Sequence, residues 1–291
     1  METKFNNNNL KLAIQKRGKL TDDTIAFLEK AGLLLDTDGQ KLYAKCRNFP
    51  LDIIFVRDDD IPDFVENGAV DLGIVGENIL FEKSSKIEKS LLLNFGYCRL
   101  VIAVQKDLSI FDIKDLRNLK IVTSYPVSVK RYFNIQDIPI EIIKMKGSVE
   151  ISPALGLSDI IADLTSTGST LAISDLRIID TIFESQAVLI SKINMQGNKR
   201  KLAKSLMFRF QATLSAQSYK YIMLNAPAKK LREIKKIVPG LKSPTISPLI
   251  TPGWLSIQTV IEESVFWEKI KKIKQAGATG ILVLPIEKLI A

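Results

Sequence analysis

The stretch LDIIFVRDDDIPDFVENGAVDLGIVG, Leu51 to Gly76, holds the fold in miniature. Leu51–Arg57 is an apolar run bounded by Pro50 and by acids, the composition of a strand buried on both faces. DDDIPDFVENGA then opens a short helix, with Pro62 near its start, where a missing N–H costs nothing. VDLGIVG is a second buried strand and ends at Gly76. Strand, helix and strand in such close succession predict an α/β fold with mostly parallel sheets.

The alternation extends outward on both sides. Leu10–Gln15 (LKLAIQ) reads as a strand and KRGKL as a turn. A helix is expected over DDTIAFLEKAG, with Thr21 as its cap, acids in its first turn and Gly32 as its stop. ENILFEK turns helical after Gly76, and CRLVIAVQ is a strand. A second set follows. Lys120–Tyr125 is a strand, Pro126 starts a helix, IEIIKMKG and SDIIADLT are strands, and TLAISDL is a short helix. Two sets of alternation imply two α/β lobes with a cleft between them, a favoured place for a ligand.

The last part changes character. YKYIMLNAP is a strand, AKKLREIKKIVPG a helix ended by Pro239–Gly240, SPTISPL and WLSIQTVI are strands, SVFWEKIKKIKQAG is a helix and ATGILVLPI a strand. The order βαββαβ is the ferredoxin-like arrangement. The long helix KRKLAKSLMFRFQATLSA leads into it.

The totals narrow the function. The chain has 291 residues, 46% hydrophobic and 25% charged, a soluble globular composition with no apolar run of membrane-spanning length. METKFNNNNL holds no secretory signal and reads as a short disordered tail, so a cytoplasmic protein is expected. Cys46 and Cys98 make no metal-ligand spacing and are expected as small buried hydrophobes. There is no histidine, which excludes an imidazole general base, a Ser-His-Asp triad and any histidine metal site. The formal charge is +9, with basic clusters in GNKRKLAK, AKKLREIKK and WEKIKKIKQ. Lysines spaced among Ile and Leu at helical period are the wet faces of amphipathic helices, so neither a nucleic-acid nor a membrane partner is expected. Anionic small-molecule substrates are a second source of basicity.

One turn carries chemistry: DLTSTGSTL, Asp163 to Leu171. It lies between a strand and a helix start, where unpaired N–H groups converge and favour an anion. Thr165, Ser166, Thr167, Ser169 and Thr170 add hydroxyl donors, and Gly168 lets the backbone approach closely. No lysine stands in the turn, so it is not a Walker A loop. Asp163 would repel a phosphate but suits a ribose diol, so the pair of features points to a ribose 5-phosphate. A plain polar loop remains the other reading.

EISPALGLSDIIADLTSTGSTL, Glu150 to Leu171, resembles the signature of the ATP phosphoribosyltransferases, the family that opens histidine biosynthesis. LAIQKRGKL, VRDDDIPDFVENGAVDLGIVGEN, GYCRL, TSYPVSVKRYF and GSVE are similar to the same family in the same order. YIMLNAP, PGLKSPTISPL and FWEKIKKIKQAGATGILVLPIEK resemble the C-terminal part of its long form. The resemblance implies a two-lobed catalytic unit like the periplasmic binding proteins, plus a ferredoxin-like regulatory domain. The expected bounds are residues 1–102 with 187–213 for lobe I, 103–186 for lobe II and 214–291 for the regulatory domain. AVLISKIN, Ala187 to Asn194, is then expected to return to lobe I.

The implied reaction joins adenine N1 of ATP to the anomeric carbon of phosphoribosyl pyrophosphate. That nitrogen already carries a free lone pair at neutral pH, so no base is needed. The demands are alignment, stabilisation of an oxocarbenium-like centre and neutralisation of the leaving pyrophosphate, with Mg²⁺ held mainly through substrate phosphates. The resemblance implies that Asp163 holds the ribose hydroxyls and Thr165 through Thr170 the 5-phosphate. Lys16 and Arg17, just after the first strand, are expected to meet polyphosphate. Arg57, Glu77, Tyr125, Lys130 and Arg131 are expected on the nucleotide side, although an ion pair, a helix cap and a structural aromatic are the plain readings of Arg57, Glu77 and Tyr125. In the regulatory domain, Asn225, Leu241, Ser243, Thr245, Val260 and Gly280 fall where the family holds its inhibitor, histidine. Dimers and hexamers are implied. One departure is the histidine that members can carry near TSYPVSVKRYF or YIMLNAP, absent here. The alternatives are a two-lobed binding module without catalysis, and a phosphoribosyltransferase for another base.

Overall fold

The computed structural model describes residues 7–36, 42–238 and 240–290, and Thr170 by its backbone alone. The N-terminal tail expected from the asparagine run lies mostly outside these residues, as does Pro239. Two compact units emerge, one of residues 1–29 with 33–204 and one of residues 30–32 with 205–291.

The first unit begins with β1 (Leu10–Gln15), α1 (Lys19–Lys30), β2 (Leu35–Asp36), β3 (Tyr43–Cys46), β4 (Leu51–Val56), α2 (Ile61–Glu66), β5 (Leu72–Gly76), α3 (Glu77–Glu82) and β6 (Ile87–Leu92). It continues with β7 (Cys98–Gln105), β8 (Lys120–Thr123), α4 (Pro126–Ile135), β9 (Glu141–Lys144), β10 (Ile160–Thr165), α5 (Ser169–Ile173), β11 (Leu176–Ser185), β12 (Ala187–Lys192) and the start of α6 (Gly197–Gln217). Two sheets result, ordered β2-β3-β4-β1-β5-β12-β6 and β11-β7-β10-β8-β9. β1 runs parallel to β4 and β5, and β8 parallel to β9 and β10.

The sheets are mixed rather than mostly parallel. β12 enters antiparallel to β5 and β6, and β7 antiparallel to β10 and β11. The cause is that the chain leaves the first sheet after Leu92, builds the second, and returns through Ala187, so the returning strand runs against its neighbour. AVLISKIN does rejoin the first sheet, as β12. The lobe bound expected after residue 102 falls inside β7, and that at 213 falls inside α6. Thr21 is not a helix cap. α1 starts two residues earlier, and the buried Thr21 hydroxyl donates to the Gln15 carbonyl at 3.0 Å, tying the helix to the end of β1. Gly32, at φ +78°, stands just past the last turn, as expected.

β7 shows why such strands read as unbroken apolar runs. Leu100, Ile102 and Val104 enter one core with Val129 and Phe133 of α4. Val101 and Ala103 enter another with Ile161 and Leu171 on the opposite face. In the first sheet, Ile61 and Val65 of α2 pack on Ala13, Val75, Val188 and Ile190.

The second unit holds the rest of α6 and then β13 (Tyr219–Pro227), α7 (Leu231–Ile237), β14 (Thr245–Pro248), β15 (Trp254–Glu262), α8 (Glu263–Gln275) and β16 (Thr279–Pro285). Its antiparallel sheet is ordered β14-β15-β13-β16, which is the ferredoxin-like topology. Ile222, Leu224 and Ala226 of β13 meet Ile234, Phe266 and Ile273 of the helices in one core. No described helix is long and apolar enough to cross a membrane.

Candidate active site

The C-terminal ends of the parallel strands face one cleft of about 390 Å³ within the first unit. Ligands in open α/β sheets bind at such ends. Gln15 ends β1, Lys19, Leu20 and Asp23 come from α1, and Asp58 follows β4. Gly76, Asn78 and Ile79 come from β5 and α3. Gly96 and Tyr97 come from the connection between the sheets, Cys98 and Leu164 from strands β7 and β10 of the second sheet, and Tyr125 and Ser166 from the turns that follow β8 and β10.

The hydroxyl-rich turn is built from within. Thr165 is buried, and its Oγ1 accepts from the Gly168 N–H at 2.7 Å. Thr167 Oγ1 lies 2.9 Å from Ser169 Oγ and accepts from the Ser169 N–H at 3.4 Å. These bonds curl the chain at Gly168, whose φ of +80° an L-residue adopts only with strain. Ser166, Thr167 and Ser169 are exposed, with Ser166 on the cleft. Thr165 therefore shapes the loop, and its neighbours present hydroxyls. α5, which follows, has only five residues and carries little dipole, so the loop itself must supply any hold on an anion. The side chain of Thr170 lies outside the described residues.

Asp163 precedes this turn on β10. Burial lifts its carboxyl to about 6, the Leu164 N–H donating to Oδ1 at 2.9 Å pulls it back, and the Glu150 charge adds to the rise. Tyr125 stands at the head of α4. Burial raises its phenol well above the ordinary value, the bond from Asn78 opposes this, and Asp163, Asp58 and Cys98 are near enough to add to it. Asp58, Cys98 and Tyr125 line the same cleft, and Asp163 lies on the strand just before its lining residue Leu164.

Asn78 joins the two sheets. Its side-chain N–H donates to the Tyr125 hydroxyl at 3.3 Å, and its backbone N–H donates to Ser185 Oγ at 2.9 Å. Ser185 Oγ returns a bond to Asn78 Oδ1 at 3.3 Å. A second clasp lies beside it. The Glu82 carboxylate at the end of α3 accepts from the Val127 and Ser128 N–H groups at 2.8 and 2.9 Å and from Ser128 Oγ at 2.9 Å. It thereby caps α4 from a different sheet's helix.

The structure brings Tyr125, Ser166 and, beside them, Asp163 together. The remaining expected residues stand differently. Lys16, Arg17, Arg57 and Lys130 are exposed and outside the cleft lining, where Lys19 is the cation. Glu77 pairs with Lys89 at 3.2 Å, and Arg131 donates to the Phe81 carbonyl at 2.7 Å. Cys46 and Cys98 are half-buried rather than buried. Asn78, Glu82 and Cys98 left no signal in the sequence because their partners Tyr125, Ser128 and Ser185 are distant along the chain, and Lys19 reaches the cleft only through the placement of α1.

In the second unit, Asn225 of β13 faces Ser256 of β15 and Thr279 of β16 in register. A Cβ at Gly280 would lie 3.3 Å from Asn225 Nδ2, so glycine there leaves room for that amide. Leu241, Ser243 and Thr245 are exposed and Val260 is half-buried.

A family profile described as ATP phosphoribosyltransferase matches residues 57–212, and one for the HisG C-terminal domain matches residues 216–288. A protein named ATP phosphoribosyltransferase from Bacteroides thetaiotaomicron is 43% identical over 97% of this chain and 99% of its own length. One of the same name from Cytophaga hutchinsonii is 42% identical over 97% and 98%. A solved ATP phosphoribosyl transferase (HisG:HisZ) complex from Thermotoga maritima superposes with a TM-score of 0.60 at 29% identity, covering 69% of this chain and 96% of that one.

Proposed function

Since the chain belongs to the ATP phosphoribosyltransferase family, we propose that its cleft holds phosphoribosyl pyrophosphate against β10 and ATP against the α3–α4 side. The reaction transfers the 5-phosphoribosyl group to N1 of adenine and releases pyrophosphate, the first step of histidine biosynthesis. One observation carries the residue assignment. The loop of Ser166, Thr167 and Ser169, curled at Gly168, presents hydroxyls directly after a carboxylate on the same strand. The loop then receives the 5-phosphate, and Asp163 accepts protons from the ribose hydroxyls. A carboxyl raised to about 6 is ionised at neutral pH and so able to accept.

Tyr125 offers a flat, half-buried wall for adenine, positioned by Asn78. Lys19, with Lys16 and Arg17 on the same turn, supplies positive charge for the polyphosphates. Arg57, Glu77, Lys130 and Arg131 belong to the nucleotide side in this reading. Glu77 and Arg131 act there through their bonds to Lys89 and Phe81. No general base is required, since adenine N1 carries its own lone pair, and alignment with exclusion of water does the work.

Mg²⁺ is the implied cofactor. Among the described residues no group of three or more His, Cys, Asp or Glu is placed to hold a metal ion. The cleft instead offers the separate carboxylates Asp23 and Asp58, with Asp163 on β10 beside its lining residue Leu164. Such a donor set suits an ion that keeps its waters and takes its other ligands from phosphates. When bound, it would neutralise charge on the leaving pyrophosphate.

The second unit is read as the regulatory domain, with histidine as effector at Asn225 and Gly280 and in reach of Leu241, Ser243, Thr245 and Val260. Assembly into dimers and hexamers is supported by β16, an edge strand whose Leu282, Val283 and Leu284 are exposed. A cytoplasmic location follows from the two substrates, which are intracellular metabolites.

The test mixes purified protein with ATP, phosphoribosyl pyrophosphate, Mg²⁺ and pyrophosphatase, and follows the ultraviolet absorbance of N1-ribosylated adenine. Product formation that histidine suppresses supports both assignments. Product formation indifferent to histidine removes the effector site, and folded protein that forms no product removes the catalytic one.

A further inference from the structure

The positive charge of this chain is not spread over it. Residues 205–291 carry 13 Lys and Arg against five Asp and Glu, a net +8 out of the chain's +9. Residues 1–204 carry 28 against 27. Lysine and arginine are about equally frequent in the two parts, so the imbalance arises from missing acids. A chain merely rich in lysine would be unbalanced throughout. Loss of acids from one unit alone is the mark of a surface that meets negative charge.

That surface is the helical layer of the second unit. α7 and α8 pack side by side, and their apolar residues Ile234, Phe266 and Ile273 are spent on the sheet. Their outer faces carry Arg232, Lys235, Lys236, Lys271, Lys272 and Lys274, all exposed. Among the described residues, none of the cations on the two helices is in an ion pair. Two of the layer's few acids are already engaged, Glu233 by Lys230 at 2.7 Å and Glu263 by Lys220 at 3.1 Å. Helix stability does not account for the pattern. Lys272 and Lys274 suit the last turn of α8, but Arg232 opens α7, where the helix dipole disfavours a cation.

We propose that this α7–α8 face binds the phosphodiester backbone of a nucleic acid. A protein partner needs an apolar centre to anchor it, and the only large apolar side chain exposed on the two helices is Trp267. A bilayer needs several apolar side chains to insert, and apart from Trp267 the large apolar side chains of both helices are covered. A polyphosphate chain needs only unpaired cations, and it gains affinity by releasing counterions. Trp267, one turn before Lys271, adds a stacking face for an unpaired base. The face belongs to the second unit and shares no residue with the cleft of the first, so the proposal does not depend on the transfer chemistry.

The experiment titrates fluorescein-labelled RNA and DNA oligonucleotides of mixed sequence with the full-length protein and reads anisotropy at several salt concentrations. If four of these cations each contact a phosphate, the log–log salt slope is about −2.8 for single strands. Affinity then falls about 50-fold between about 50 and about 200 mM salt. The variant carrying Lys235→Gln, Lys236→Gln, Lys271→Gln and Lys272→Gln should bind at least about tenfold more weakly with a flattened slope, while its phosphoribosyl transfer is unchanged. RNA bound more tightly than DNA, or the reverse, identifies the source. The proposal is overturned by no binding at low salt, or by an unaltered affinity in the variant. It is also overturned by displacement of the probe by ATP or phosphoribosyl pyrophosphate, which would put it in the cleft. Equal binding to phosphatidylserine vesicles would overturn it as well.

Discussion

Replacing Asp163 by Asn should make the protein more stable while it stops turning over. The ligand-free enzyme keeps this carboxyl partly buried, and burial lifts it from the ordinary 3.8 to about 6. The folded state therefore holds the proton more tightly than the unfolded chain does. The favourable contribution of the group is complete below about pH 3.8 and is lost as pH rises through about 6. At about 1.4 kcal/mol per pH unit, the ionised carboxylate costs the fold about 3 kcal/mol at neutral pH. Water in the cleft screens part of this, so about 1–3 kcal/mol is expected. Asparagine carries no charge at any pH, and its side-chain oxygen can still accept from the Leu164 N–H. The assay is urea denaturation at fixed protein concentration, near pH 7.5 and near pH 4. The variant should be the more stable near pH 7.5, and the difference should vanish near pH 4. A variant no more stable near pH 7.5, or one offset equally at both pH values, would refute the reasoning.

Two further substitutions probe the loop and the clasp. Gly168→Ala meets no clash, since its Cβ would lie 3.7 Å from Ile178 Cδ1, but it must hold φ near +80° at a cost of about 1 kcal/mol. Steady-state kinetics should show a raised KM for phosphoribosyl pyrophosphate and little change in that for ATP. Glu82→Ala strips the α4 N-terminus of its partner and should cost about 1–2 kcal/mol, read as a fall of a few degrees in Tm by calorimetry. Glu82→Gln, which keeps one acceptor oxygen, should lose less.

Strands buried on both faces were legible from their composition alone. β7 and β10 are apolar runs because each side of the strand meets a core, and β1, β4 and β5 bury successive residues such as Leu12 and Ala13, Leu51 with Ile53, and Ile74 and Val75. β6, with its sequence IEKSLL, is a half-exposed edge, and β2 and β3 are short. Their residues carry no periodic signal, and they went unread. Strand direction was also hidden, because an apolar run looks the same whichever way its neighbour points. In the site, the loop after β10 could be read since hydroxyls, glycine and acid are contiguous in sequence. The Asn78–Ser185 bond spans 107 residues and left no local trace. Thr21 misled for a related reason. Its hydroxyl looks like a cap, yet Gln15 on the preceding strand already claims it.

The return of the chain at Ala187 bears on the order in which the protein can be made. β6 is hydrogen-bonded to β12 alone, and β5 reaches it only through β12. A ribosome delivers β6 long before the strand that seats it. The second sheet, by contrast, is contiguous from Cys98 to Ser185 and can close as soon as its last strand emerges. The nascent chain thus meets its later-numbered lobe as the first finished body, and IEKSLL waits with an open edge. The two charged residues in that hexapeptide, Glu88 and Lys89, keep the waiting strand from pairing with a neighbour's.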